Sequence, residues 1–365
     1  MRRRKFIGRA LGGGAIIGGT SNLGVTSYSY AEQKRQAVKV QENGKYEILL
    51  KGGHVIDPAN NINGIMDVAV AEGKIARVEK NIPARDAKRT IDVSDLYVTP
   101  GLLDIHLHCF HSRPRYIIAD DHCFPSGVTT CCDAGSAGAD SFEDFIEIIE
   151  SARTRILIFL NISSAQGTPK ADRDNPTFFD ILLAVETAKK YSDIIIGFKT
   201  IHYKTFTPLD KDHPPWAAID AIIEAGRLAD LPCMIHSEPR PPSDGFPARS
   251  FREMILQKLR PGDIHTHCHG FASPPMLGDT PPDKINPDVF KAKKRGVIFD
   301  VGHGAGSFTF RNAVPSIEQG FLPDSISTDL YAANTCGSVF NMNNVMSKFI
   351  CMGMSVEDVI RRTTV

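Results

Sequence analysis

From Tyr46 to Asp95 apolar and polar positions alternate in short runs broken by glycine: EILLKGGHVIDP, MDVAVAEGKIARVEK and AKRTIDVS. A period of two with Gly-rich turns predicts small antiparallel strands and hairpins. Beyond residue 97 the pattern changes, and apolar, β-branched runs recur roughly every 30 to 40 residues. They are YVTPGLLDIH (97–106), GVTTCCDAG (127–135), RILIFLNIS (155–163), DIIIGFK (193–199), LPCMIH (231–236), GDIHTH (262–267), GVIFDVG (296–302) and DSISTD (324–329). Between most of them lie segments with apolar residues at helical spacing, such as SFEDFIEIIESAR, FDILLAVETAKKY and AAIDAIIEAGRLA. Strands alternating with helices predict βα units and a parallel sheet, and eight strands close such a sheet into a ring. The expected fold is therefore α/β: a (β/α)8 TIM-like barrel over 98–365, with a small accessory β-sandwich-like domain whose N-terminal part spans 46–97. An open doubly wound sheet has little support, because no G-x-G-x-x-G follows the first strand.

The polar residues that end these strands carry the chemistry. In an α/β barrel the C-terminal strand ends meet at one rim. His106 and His108 end strand one, Lys199 strand four, His236 strand five, His267 strand six and Asp329 strand eight. Residues i and i+2 of a strand share a face, so both rings of the H-x-H pair reach one point. Four imidazoles and a carboxylate suit zinc, and also manganese, iron or cobalt. They exceed what one catalytic metal requires, which predicts two divalent ions. Lys199 would join the pair once its amine has taken up carbon dioxide as a carbamate, since only then does it offer two anionic oxygens.

Composition narrows the partners. Lys+Arg and Asp+Glu balance at 42 each in 365 residues, which gives no reason to expect nucleic acid or an anionic membrane. Eight scattered cysteines (109, 123, 131, 132, 233, 268, 336, 351) lack C-x-x-C spacing and read mostly as small buried apolar residues. Residues 1–35 differ from the rest: a basic start with Arg3-Arg4-Lys5-Phe6-Ile7 precedes a short Gly/Ala/Ile segment. This resembles a twin-arginine export signal and predicts a periplasmic protein with no membrane segment in its mature form, or a cytoplasmic one if the segment is only a basic N-terminus. A small-molecule substrate is expected, and a homo-oligomer is compatible with the barrel.

Taken together, DVSDLYVTPGLLDIHLHCF (92–110), GVTTCCDAGSAGADSFEDF (127–145), GFKT (197–200), MIHSEP (234–239), LRPGDIHTHCHG (259–270), FDVGHGAGSF (299–308) and ISTDL (326–330) resemble a known family. It is the amidohydrolase superfamily of binuclear metallohydrolases, more closely its dihydroorotase-like amidohydrolase/deacetylase branch. The resemblance runs from about residue 46 to the end. It implies that His106 and His108 bind the more buried metal with Asp329, that carboxylated Lys199 bridges, and that His236 and His267 hold the second metal. It further implies hydrolysis of an amide or ester by a metal-bridged hydroxide, with Asp329 as general base. The expected substrate is an N-acyl amino acid or an O-acyl hydroxy acid. Cyclic amide opening, mononuclear deamination and a metal-free scaffold are the alternatives.

Secondary candidates are His303 for substrate binding, His265 and His269 as rivals of His267, Glu238 as a deaminase-type acid, and Lys204 as a rival of Lys199. Strand alternation places His265 on the same face as His267. Two departures from the family pattern stand out. Asp95 replaces the usual glycine before the first barrel strand, which should strain that turn and leave the site intact. The chain also stops at RRTTV, where relatives return to the small domain, so the C-terminal part of that domain is expected to be missing and a sheet edge left open.

Overall fold

The computed structural model describes residues 39–40, 44–111, 114–204, 207–237, 254–270 and 284–365. The export-signal segment and Glu238 lie outside them.

The accessory part is a mixed six-stranded sheet of β1 (Lys39–Val40), β2 (Tyr46–Asp57), β3 (Ile62–Ala71), β4 (Lys74–Glu79), β5 (Ala87–Asp92) and β6 (Tyr97–Val98). Its order is β1-β5-β2-β3-β4, with β6 pairing to β2. The β2–β3–β4 meander is antiparallel as the alternation predicts, but β5 and β6 run parallel to β2. The expectation of purely antiparallel strands is therefore corrected. After β4 the chain crosses to the other side of β2 instead of turning back on itself, and local periodicity carries no trace of that crossover. Tyr46, Leu49, Ala69, Ile82 and Ala87 form the small core of this sheet.

The second sheet is parallel and in sequence order: β7 (Leu102–Leu107), β8 (Val128–Ala134), β9 (Arg155–Asn161), β10 (Ile195–Ile201), β11 (Cys233–His236), β12 (Ile264–His265) and β13 (Ile298–Phe299). Each coincides with one of the expected runs, β7 ending one residue and β10 two residues past it. The eighth run forms no regular strand, yet it occupies the eighth place. Asp300 bridges to Ser325 and Leu107 to Leu330, both in parallel sense, so residues 325–330 join the two edges of the seven-stranded sheet. The backbone completes the join: Val301 N donates to Ser325 O (3.0 Å), His303 N to Ser327 O (3.1 Å), and His108 N to Leu330 O (2.9 Å).

Alternation along the strands sorts side chains into two layers. Leu103, Ile105, Leu157, Phe159, Met234, Ile264 and Ile298 pack on one another inside the ring. The intervening Leu102, Ile156, Ile158, Leu160, Ile235 and Phe299 pack outward with Phe145, Val185 and Ile222. Those last three lie on α2 (Glu143–Ser151), α3 (Ile181–Lys190) and α4 (Ala217–Ala229), which follow the short α1 (Ala119–Cys123). All three helices coincide with the segments of helical spacing. Asp180 caps α3 by accepting from Leu183 N at 3.0 Å, while Lys189 and Lys190 complement its C-terminal dipole. Further helices are α5 (Pro287–Arg295), α6 (Phe310–Glu318), α7 (Met342–Cys351) and α8 (Val356–Arg361). The last of these packs against β2, and Asn63 Nδ2 donates to Glu357 Oε2 at 2.7 Å, tying the accessory sheet to the barrel. Six of the eight cysteines are buried, as expected, whereas Cys336 and Cys351 are exposed. No helix among the described residues is long and apolar enough to cross a membrane.

Asp95 adopts φ 66°, the left-handed region that disfavours a side chain. The strain expected from the sequence is therefore present and sits away from the barrel rim. Asp95→Gly is expected to raise stability by ~0.5–1 kcal/mol, a gain of ~1–2 °C in Tm, because strain relief outweighs the added freedom of glycine in the unfolded chain. Urea unfolding checks this, and a loss of stability would show that the aspartate side chain stabilises the turn.

Candidate active site

The strands and the segments that continue them deliver the six expected side chains to one end of the ring. His106 and Lys199 are each only 1% exposed, and Asp329 8%. His106 Nε2 lies 3.3 Å from Lys199 Nζ and 3.6 Å from Asp329 Oδ1, and His108 Nε2 lies 3.2 Å from the same oxygen. The His267 ring centre stands 4.9 Å from that of His106 and 4.2 Å from that of His236. Nitrogen and oxygen atoms of His106, His267 and Asp329 fall within 4.8 Å of one another, close enough for a single cation. All six predicted residues thus converge.

The backbone is strained where the ligands sit. His267 has φ 62° and Asp329 φ 49°, both left-handed. At His267 this reverses the expected alternation. The strand proper ends at His265, which faces outward with Ile235 and Phe299, its ring 5.8 Å from that of Phe299. Thr266 points inward, and the left-handed residue then swings His267 inward as well. His265 and His267 therefore do not share a face. Two glycines are required by close approach. A Cβ on Gly135 (φ 84°) would come within 2.6 Å of Lys199 Cγ, and one on Gly302 (φ 44°) within 2.4 Å of Thr266 Oγ1 and 2.7 Å of His267 Nδ1.

Hydrogen bonds leave the Nε2 atoms available. His267 Nδ1 donates to Gly302 O at 2.6 Å, His106 Nδ1 lies 2.8 Å from Thr266 Oγ1, and His108 Nδ1 lies 2.9 Å from Ser136 Oγ. Burial keeps the rings of His106, His236 and His267 neutral. Desolvation, reinforced by Lys199 and the neighbouring imidazoles, holds His106 far below the usual histidine range, and His236 behaves likewise with Arg173 adding to the effect. His267 is held at about 4 by burial, against the opposing pull of Asp329. Burial also lowers the Lys199 amine to about 8, although Asp329, Asp300 and Asp133 favour its charge. Imidazoles that burial keeps neutral at His106, His236 and His267, together with His108 and the Asp329 carboxylate, make a donor set that fits a divalent metal of the zinc type.

The other candidates stand around this cluster with partners of their own, and the Asp329 charge reaches His303. His303 is only 2% exposed and both its nitrogens are engaged: Nδ1 with Gly304 O (2.9 Å) and Nε2 with Lys348 Nζ (2.9 Å). Its ring stacks on Phe308 at 4.3 Å, which is the geometry of a loop support. His269 is buried among Phe308, Phe321 and Phe349. Lys204 is exposed and paired with Asp174 at 3.1 Å. The sequence reading missed the residues that support the ligands, namely Asp104, Ser136, Thr266, Asp300 and Thr328. Asp300 ends the seventh run in the same way that the ligands end theirs, and that was the available signal.

A cavity of about 580 Å³ opens beside the cluster, its wall including Arg115, Tyr116, Arg173, Thr200 and Lys204. None of the six residues lines it, but its wall residue Tyr116 stacks on His108 with ring centres 5.7 Å apart, which places the cavity next to the cluster.

No family model matches the chain. Over 306 residues it is 31% identical to a deacetylase of Agrobacterium fabrum, covering 80% of this chain and 70% of that protein. It is 29% identical over 323 residues to a deacetylase of Enterococcus faecalis, covering 87% and 82%. Among solved structures it is similar to an adenine deaminase (TM-score 0.76, 27% identity, 87% of this chain and 82% of that one) and to a dihydroorotase (TM-score 0.71, 27% identity, 87% and 81%).

The Lys199 shift makes metal-free stability depend on alkaline pH. Between about 8, its value in the folded state, and 10.5, its ordinary value, the unfolded chain binds more protons, so stability rises with pH across that window. Below it the burden of the buried ammonium is present in full, about 3 kcal/mol. Urea unfolding with chelator at both ends of the window is expected to show this gain in the wild type and to lose it in Lys199→Met.

Proposed function

Because this chain belongs to the amidohydrolase superfamily, in its dihydroorotase-like branch, we propose that it is a two-metal deacylase. In this reading it cleaves the acyl group from a small N-acylated amino acid or O-acylated hydroxy acid. That it is a hydrolase acting on carbon–nitrogen bonds follows from the company of deacetylases and dihydroorotases. The observation that carries the finer reading is the convergence of four imidazoles, a buried lysine and Asp329 at one rim, more ligands than one cation uses.

When bound, a pair of divalent ions supplies Lewis-acid polarisation of the scissile carbonyl and a water acidic enough to attack near neutral pH. The chain's residues do the rest. Lys199, lowered to about 8 by burial, holds a useful fraction of free amine at neutral pH. That amine can add carbon dioxide with release of one proton, and the resulting carbamate, with His106, His108, His236, His267 and Asp329, would hold the pair of ions. The tight grouping of His106, His267 and Asp329 cuts across the division of ligands that the resemblance implies. Asp329 Oδ1, placed between His106 and His108, accepts the proton of the attacking water and returns it to the departing nitrogen or oxygen.

The cavity wall supports an anionic substrate. Arg115, Arg173 and Lys204 line it against the single carboxylate of Asp172. Lys204 is already paired with Asp174, whereas the Arg115 guanidinium lies 5.7 Å over the Tyr331 ring, two residues beyond Asp329. Arg115 is thus the cation positioned to receive a substrate carboxylate while the acyl carbonyl lies at the ligand cluster.

Protein purified without chelator is expected to carry about two metal ions per chain by elemental analysis, falling sharply in Lys199→Met. One ion or none in well-folded wild type would sink the two-metal reading. Arg115→Met is expected to lower kcat/KM for an acylated acid by ~10–100-fold while leaving its uncharged amide analogue nearly unaffected. Equal losses on both substrates would remove Arg115 from carboxylate recognition.

A further inference from the structure

Asp300 lies behind the ligand cluster, fully buried, and its carboxylate accepts from Thr266 Oγ1 at 2.7 Å on Oδ2 and from Ser327 Oγ at 2.6 Å on Oδ1, with the Ser325 side chain also bonded to it and His106 Nδ1 3.5 Å from Oδ2. Each hydroxyl carries one proton. Gly302 N donates to Ser327 Oγ at 2.9 Å, and a backbone N–H can only donate, so the Ser327 proton goes to Asp300. On the other side the Thr266 proton also goes to the carboxylate. The Thr266 oxygen must then accept from His106 Nδ1, 2.8 Å away. His106 is thereby held as the Nδ1–H tautomer with its Nε2 lone pair facing Lys199 and Asp329. Gly302, held through Ser327, presents its carbonyl to His267 Nδ1 at 2.6 Å and sets the same tautomer there. Two imidazoles from different strands trace back to one carboxylate.

We propose that Asp300 is the positioning residue of the site, fixing the tautomer and direction of His106 through Thr266 and of His267 through Ser327 and Gly302. This rests on the reading of His106 and His267 as metal ligands. It adds a residue that touches neither metal nor substrate, and without which both Nε2 lone pairs lose their aim. Asp300→Asn keeps the shape and breaks the logic. If the amide nitrogen faces Thr266, that hydroxyl must donate to His106, which moves the ring proton to Nε2 and blocks the ligating atom. If the nitrogen faces Ser327 instead, the Ser327 proton loses its acceptor, and the hold on Gly302 and His267 loosens.

The test measures zinc affinity by chelator competition, together with the histidine ¹⁵N spectrum of the metal-free protein, for wild type, Asp300→Asn, Thr266→Val and Thr266→Ser. Asp300→Asn and Thr266→Val are expected to weaken zinc binding by ~10–100-fold, the range for removing a group that orients a ligand, and Thr266→Ser to restore most of it. In the spectra the Nδ1–H signature of His106 should be weakened in Thr266→Val, where only the 3.5 Å contact to Asp300 Oδ2 is left, and kept in Thr266→Ser. A variant that unfolds more easily yet binds zinc as tightly as wild type, with its His106 tautomer unchanged, would overturn the proposal and leave Asp300 a purely structural residue. Should Asp300→Asn fail to fold, the Thr266 pair decides. If wild type itself binds no zinc, the deacylase reading fails, while the tautomer comparison still tests the positioning network.

Discussion

The join between residues 325–330 and strand β7 is the contact on which the rest depends. A seven-stranded parallel sheet has two bare edges, and here both are satisfied by one irregular segment. Asp104 clamps it: buried on β7, its carboxylate accepts from Thr328 N (3.0 Å), Thr328 Oγ1 (2.6 Å) and His106 N (3.3 Å). Burial pushes this carboxyl up to about 7 in spite of those bonds, with Asp300 adding to the shift. The same join lets Asp329 N donate to His106 O at 2.5 Å, which places the Asp329 side chain over the histidines. Closing the barrel and assembling the site are therefore one event.

That coupling explains the strain at the rim. Left-handed backbone at His267 and Asp329 is unfavourable in isolation, as is placing a lysine and several imidazoles out of water. The ring over-determines these positions from below through the apolar interior layer, and from the side through the hydroxyl and carboxylate bonds of Thr266, Ser327 and Thr328. Much of the polar machinery behind the ligands thus holds a geometry the chain would not choose locally. A bound metal would repay this arrangement by replacing mutual repulsion of crowded donors with coordination.

Around this rigid centre the cavity wall is built from loops. Arg115, Tyr116 and Arg173 come from the connections after the first and third barrel strands, where relatives of one architecture differ most in the molecules they accept. In the proposed reading the polar cluster and its supports would set the reaction class, and the loop cations what can lie against it. Similarity to deacetylases, a dihydroorotase and an adenine deaminase on one scaffold fits that division of labour.

By itself the sequence determined the eight apolar runs, the helices between them, and the six polar residues at the strand ends. Each of these is written in local periodicity or in a polar residue that interrupts it. Only the tertiary structure decided that β5 runs parallel to β2, that the eighth run closes the ring without forming a regular strand, and that His267 turns inward while His265 turns outward. It alone showed Asp300 standing behind two ligands and His303 engaged with Lys348. Those features depend on a crossover, on left-handed backbone at single residues, and on hydroxyl partners tens of residues apart. Such choices are settled by how closed layers satisfy one another's hydrogen bonds, and no local pattern of residues encodes them.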